Sequence, residues 1–448
     1  MSHIAANQNV DAALGADAPA HLDHPALREE NITLEPAKVG LASKALMALG
    51  LLGIVVAIAG GFVLAGAEGT SSNAALTHVK GILLIGVLSV MGFSLGSMFF
   101  IMINAVGGAG WHVTMKRILE QAALLIWLPV AGLLMFVAAE LYSVSNDGFG
   151  IVSSWLNPEI LKEEYFITKK YPYFEPAFVA VRLGLYVVIW LGLSQLIWRL
   201  SRKQERTGDR WLTNKLSFHS AWGLMVLALA TAFFAFDWLK ALTDYKFFST
   251  MWGVYFFAGS LFVTFPGMAL LLIYLRSKGK MEGLITVEHH HDLSKYMFGF
   301  IVFWAYIAYS QYFLIWYSQI PEETTWYMHR KENWTELSTL LVVGHFLVPF
   351  PLMLLRALRR SALGYGLIAG WLLFMHVIDM YWIIRPSLGI TLNEARVGGM
   401  QGAWVDIAGI GGVIALYTGL LLWRLTKAPL VNRMEPRMPE ALKHKNYV

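Results

Sequence analysis

Two stretches of this sequence place ionisable side chains at the ends of otherwise apolar runs. Phe233-Phe234-Ala235-Phe236-Asp237-Trp238-Leu239-Lys240 closes one, and Met375-His376-Val377-Ile378-Asp379-Met380-Tyr381-Trp382 closes another. A carboxylate at membrane depth costs free energy, about 2.5–3.5 kcal/mol on insertion scales, so each asks for a reason. Asp237 and Lys240 are three residues apart on one helix face. They could neutralise each other, or snorkel to the headgroups as an interfacial pair. His376 and Asp379 share that spacing. Imidazole changes charge near neutral pH, so the pair could pass a proton, hold a quinone head group, or form a buried interhelical hydrogen bond.

Other ionisable groups extend the list. His345 lies midway along a further apolar run, before Pro349 and Pro351, which should kink the helix and free backbone carbonyls. It reads equally as lining a hydrated path or as a packing residue. Arg182 stays charged and requires an anion, with Asp237 or Glu140 at suitable depth. His219 opens the run that Asp237 closes, and Asp406 reads as interfacial. Gln195, Gln311, Thr231 and Ser310 add polar groups, and Tyr306, Tyr309 and Phe313 form one helical stripe expected to pack in the core. Glu288-His289-His290-His291-Asp292 suggests a metal at first sight. Adjacent loop histidines point apart, however, so a solvated loop or a proton-collecting mouth is the simpler reading.

Positioning these groups requires helices that cross a membrane. The 448 residues are 56% hydrophobic and 15% charged, with a mean hydropathy of +0.53. Apolar runs long enough to cross about 30 Å of hydrocarbon recur at about 43–66, 79–103, 122–142, 175–198, 217–241, 250–275, 294–317, 336–356, 363–385 and 404–424. The fold class is therefore an all-α polytopic membrane protein of about ten helices. A weak repeat pairs Gly96-Ser97 with Gly259-Ser260, and Trp222-Gly223-Leu224…Asp237 with Tyr365-Gly366-Leu367…Asp379. It implies two parallel four-helix bundles, about 79–241 and 250–385, with the first and last helices flanking them. Residues 1–42 read as a flexible tail and 426–448 as a second tail. Lys and Arg crowd the side of the termini, as in Arg199, Arg202, Lys203, Arg206, Arg210 and Lys215, which puts both ends in the cytoplasm.

Composition also excludes functions. With no cysteine, this chain carries neither thiolate-ligated iron–sulfur clusters nor thioether-linked haem. The histidines are expected at different depths, against bis-histidine haem, and no metal site is assigned. No nucleotide-binding motif occurs, and the net charge of +5 reflects topology and lipid contact rather than nucleic acid. The loop 143–174, with Trp155, Tyr165, Tyr171 and Tyr173, reads as headgroup anchors or a docking segment.

Several segments bring a family into view. Ser310-Gln311-Tyr312-Phe313-Leu314-Ile315-Trp316-Tyr317 followed by Ile320-Pro321-Glu322-Glu323-Thr324 is the most specific. With His219-Ser220-Ala221-Trp222-Gly223, Phe236-Asp237-Trp238 and His376-Val377-Ile378-Asp379, it resembles the ActF family of membrane subunits in alternative complex III, a bacterial quinol:cytochrome c oxidoreductase. The resemblance runs from about 40 to 425. It implies an NrfD-like fold in a bacterial inner membrane, no redox centre in this chain, and quinol as substrate of the whole complex. The implied partners are an ActC-like quinol-binding membrane subunit, an iron–sulfur subunit and c-type haem subunits, the loop 318–335 suiting contact with extramembrane subunits. It also implies proton half-channels, giving roles to His219, Asp237, His345, His376 and Asp379; motif segments cover only His219, Asp237 and His376–Asp379. Lys240, Arg182 and Glu140 enter from the residues alone. Quinone binding at His376 and Asp379, or a secondary transporter with parallel repeats, are the alternatives.

Overall fold

Ten helices long and apolar enough to cross a membrane make up the computed structural model, which describes residues 20–67, 72–147, 165–240, 249–388 and 402–445. They are α1 (Val39–Gly66), α2 (Ala75–Gly107), α3 (Val113–Asn146), α4 (Pro176–Thr207), α5 (Trp211–Lys240), α6 (Trp252–Ser277), α7 (Val287–Ser318), α8 (Thr335–Leu354), α9 (Ala362–Leu388) and α10 (Ala403–Leu425). No strand occurs among the described residues. Each helix overlaps an expected span, and several extend past it. Once the backbone bonds are paired internally, a helix need not stop where its apolar residues do. Residues 288–292 are thus the opening turns of α7 rather than a loop, started by a Thr286–His289 capping box.

The helices gather as the repeat implied. In the first bundle α2 packs on α3 and α5, and α4 packs on α5. In the second, α6 packs on α7 and α9, and α8 on α9. The bundles meet where α2 crosses α6. There a side chain on Gly96 would lie 2.1 Å from Thr264 Oγ1 and 2.2 Å from the Ser260 carbonyl oxygen, so only glycine permits the crossing. The repeated glycine–serine motif is thus the seam between the bundles. α1 and α10 form a flanking pair of their own, closed by Gly50, Gly53 and Gly412, and α10 leans on α2.

Three departures from regular helix matter for the site. α3 breaks at Leu125–Ile126, and all of its first half, Val113–Leu124, is buried although it carries Lys116, Arg117, Glu120 and Gln121. α5 ends in a π-turn, Phe236–Lys240, that holds Asp237. α8 contains a second π-turn, Val343–Leu347, holding His345. Pro349 follows one residue later, after Val348, and cannot donate a backbone bond, so the strain expected as a kink is absorbed as a widened turn.

The N-terminal segment is corrected within the described residues. Residues 20–35 form short helical turns with Ala26, Leu27, Ile32 and Leu34 buried, so this part of the tail is ordered packing. The C-terminal tail is likewise folded, with Leu430, Val431 and Met438 buried.

Candidate functional site

The two aspartates have opposite surroundings, Asp237 in the last turn of α5 and Asp379 further inside α9. Asp237 is gripped by a cation: Arg182 donates from Nε to Oδ2 at 2.9 Å and from Nη2 to Oδ1 at 3.1 Å, and Tyr186 donates to Oδ2 at 2.8 Å. Tyr173 covers the guanidinium at 3.8 Å and accepts from it through its backbone carbonyl. Desolvation, with the Asp237 carboxylate nearby, pushes the Tyr173 phenol well above its ordinary pKa, so it stays protonated. Arg182 thus takes the partner expected for Lys240. Glu140, the other partner considered for Arg182, pairs instead with Lys80, which also donates to Ser143 at 3.0 Å. Lys240 is buried beside Asp237 on the π-turn.

Asp379 is fully buried and, among the described residues, meets only neutral donors. Tyr255 of α6 donates to Oδ1 at 2.5 Å and Trp304 of α7 donates its indole N–H to Oδ2 at 3.1 Å. No Lys or Arg lies within ion-pair distance among the described residues. The expected His376–Asp379 pair does not form, because tyrosine and tryptophan already occupy the carboxylate. His376, one turn back on α9, is buried against Gly92 of α2 and Gly259 of α6, and the backbone of Ser89 faces its ring. His345 from α8 lies flat between Trp304, 3.6 Å away centre to centre, and Phe262 at 4.0 Å. Both ring nitrogens of His345 and of His376 are buried without a well-formed hydrogen bond. All four helices of the second bundle therefore contribute to one closed cluster.

The histidines expected at separate depths, His345 and His376, are near enough to repel if both were charged. Trp304 and Phe262 cover both faces of His345. Among the described residues no three His, Asp or Glu side chains converge as metal ligands. A groove of about 410 Å³ opens between α8 and α9, lined by Leu340, Gly344, Pro349 and Trp371 among others, and neither His376 nor Asp379 lines it.

The remaining candidates fall elsewhere. His219 is half-exposed on α5, accepts from the Trp222 indole at 3.2 Å, and lies at the opposite end of its helix from Asp237. Asp406, in the first turn of α10, is buried among neighbouring side chains. His78 approaches its Oδ1 at 2.9 Å, Tyr381 donates to Oδ2 at 2.7 Å, and Arg385 donates to the other nitrogen of His78 at 2.9 Å. Since arginine only donates, His78 Nδ1 accepts and Nε2 carries the proton. Tyr306, Tyr309 and Phe313 face outward rather than into the core. The Glu288–Asp292 side chains disperse, Glu288 to Arg360 and Asp292 to Lys295 and His444. Of the loop 143–174, Trp155 lies outside the described residues.

Sequence reasoning missed Tyr255, Trp304, Tyr186, His78 and Lys80. It also missed the charged half of α3, where Arg117 reaches Glu120 at 3.4 Å and Glu205 at 3.1 Å, and Lys116 reaches Glu435 at 2.7 Å. The last had a signal: Lys116-Arg117 and Glu120-Gln121 stand at helical spacing, but their polarity reads as a loop. The fold and cluster define a ten-helix, all-α polytopic membrane protein with a buried acid in its second bundle. No known protein family matches the sequence, and no curated protein is similar to it.

Proposed function

We propose that this chain is a membrane subunit of a quinol-oxidising respiratory complex, of the kind its motifs resemble, and that its second bundle takes up and releases protons. The observation that carries the proton reading is Asp379, a fully buried carboxyl held by two neutral donors beside two buried histidines whose nitrogens make no well-formed hydrogen bond among the described residues. Asp237 is tied to Arg182, so its charge is already matched; at Asp379 no cation among the described residues does so, and a proton can. Tyr255 can relay a proton through its hydroxyl, and Trp304 fixes the carboxylate while its ring holds His345 in place. The closed site and the absence of His376 and Asp379 from the groove favour proton handling over quinone binding at these residues.

Membership in the complex rests on the motif resemblance, as do the partners: an ActC-like subunit that binds the quinol, and iron–sulfur and c-haem subunits that carry the electrons. Lacking cysteine, this chain leaves those centres to them. The crowding of Lys and Arg supports a cytoplasmic location for both termini, and the resemblance supports a bacterial inner membrane.

Asp379→Asn in the assembled complex tests the proposal, with proton release measured in vesicles alongside quinol oxidation. The expected result is intact assembly and loss of most proton movement per electron, with Asp379→Glu retaining a measurable part. Unchanged proton movement in an assembled Asp379→Asn complex would show that the cluster is structural.

A further inference from the structure

Helix α7 turns one face into the second bundle and leaves the other open. Ile301, Trp304, Ile307, Gln311 and Ile315 are buried, whereas Tyr306, Tyr309 and Tyr317 are 63%, 64% and 76% exposed, with Phe313 between them. Spacings of three and four residues place these rings on one stripe. Tyr309 stacks on Phe313 at 5.9 Å, and Phe313 on Tyr317 at 6.1 Å.

Depth decides what this stripe can face. The apolar part of α7 lies between Lys295 and Ser318, and Tyr306 sits at its midpoint. The nearer edge of the hydrocarbon is then about 15 Å away, beyond the reach of a tyrosine side chain. Among the described residues neither the Tyr306 nor the Tyr309 hydroxyl meets a hydrogen-bond partner. Lipid tails supply no acceptor, so a lipid-facing stripe would leave two hydroxyls unpaired in hydrocarbon. Tyrosines anchoring the headgroup region would stand at the ends of the span, as Tyr317 does, and not at its centre.

We propose that this face of α7 is the docking surface for a transmembrane helix of a different polypeptide. That helix would present small residues to receive the aromatic rings, and carbonyl or hydroxyl oxygens to accept from Tyr306 and Tyr309. A second copy of this chain fits poorly. The stripe lacks glycine, and bulky rings facing identical rings would hold two helices too far apart for close packing. The inference depends only on α7 spanning the membrane, so it stands or falls separately from the proton chemistry.

A photo-crosslinking amino acid, p-benzoylphenylalanine, placed at 309 or 313 in the protein's own membranes tests it directly. The expected result is an adduct with a second membrane polypeptide, identified by mass spectrometry. The paired variant Tyr306→Phe with Tyr309→Phe keeps the rings and removes the hydroxyls. Recovery of that polypeptide with the chain should fall about three-fold for each hydroxyl lost. Adducts with lipid alone, adducts of twice this chain's mass, or unchanged recovery in the paired variant would overturn the proposal.

Discussion

At the scale of single residues, the same side chain is handled in two ways in the two bundles. Asp237 receives three donors, two from one guanidinium, whereas Asp379 receives one phenol and one indole. A buried ion pair adds little net stability but is costly to break, since the survivor is left charged and unmatched, at about 3–5 kcal/mol. Arg182→Met should therefore lower the melting temperature of the purified chain sharply. Adding Asp237→Asn to it should restore most of the loss, because both charges are then gone. Equal melting temperatures for the single and paired variants would mean that Arg182 stabilises the bundle through its packing on Tyr173 rather than through the charge. The aspartates were legible in the sequence because charge inside apolar runs is rare. Arg182 was legible too, as a fixed charge that needs an anion, and Asp237 was one of its two expected partners. The neutral donors were not, because Tyr255, Tyr186 and Trp304 are ordinary membrane residues until helices distant in sequence bring them to a carboxylate.

At the scale of elements, the ten spans could be read from apolar length alone, and the pairing of bundles from a glycine–serine motif that proves to be their contact. Helix irregularities were harder. The π-turn around His345 had a visible cause in Pro349, yet proline specifies a disruption and not its form. The first half of α3 misled because burial of Lys116, Arg117 and Glu120 depends on partners in α4 and the C-terminal tail. His112 stands at the N-terminus of that half-helix, outside the spanning segments and buried. Burial, with Lys116 close by, lowers its pKa from 6.5 to about 3. The unfolded chain therefore binds a proton at moderately acid pH that the folded chain refuses. This contribution to stability is full above pH 6.5 and is lost as pH falls toward 3, reaching about 2 kcal/mol at pH 5. Melting temperatures of wild type and His112→Gln at pH 7.5 and pH 5 check it, the expected outcome being a smaller acid loss in the variant. An identical loss in both would assign the acid sensitivity to other groups.

At the scale of the whole molecule, the two chain ends close one face of both bundles. The Leu430 N–H donates to the Ile32 carbonyl at 2.7 Å, and Met281 in the α6–α7 connection donates to the Asn31 carbonyl at 3.1 Å. Further along, Asn432 donates to Gln204 of α4 at 3.0 Å, Glu435 binds Lys116 of α3 and accepts from Thr213 of α5 at 3.1 Å, and His444 meets Asp292 of α7 at 2.6 Å. The tail thus ties three helices of the first bundle to one of the second, and the N-terminal segment is held between the tail and the α6–α7 connection. None of this could be read from the tails themselves, whose polar residues lack any period and find their partners only once the helices are assembled. Glu435 is the strongest tie, since its removal leaves Lys116 buried without its carboxylate. Glu435→Ala should therefore loosen the whole strap, so that trypsin cuts after Arg437 and Lys443 many times faster than in wild type. Cleavage after Arg28 should accelerate with it, because the N-terminal segment loses the backbone bond from Leu430. Glu435→Gln, which keeps a hydrogen-bond acceptor for Lys116, should fall between the two. If cleavage after Arg28 stays slow while the C-terminal sites open, the two ends are held independently and the strap is not one unit.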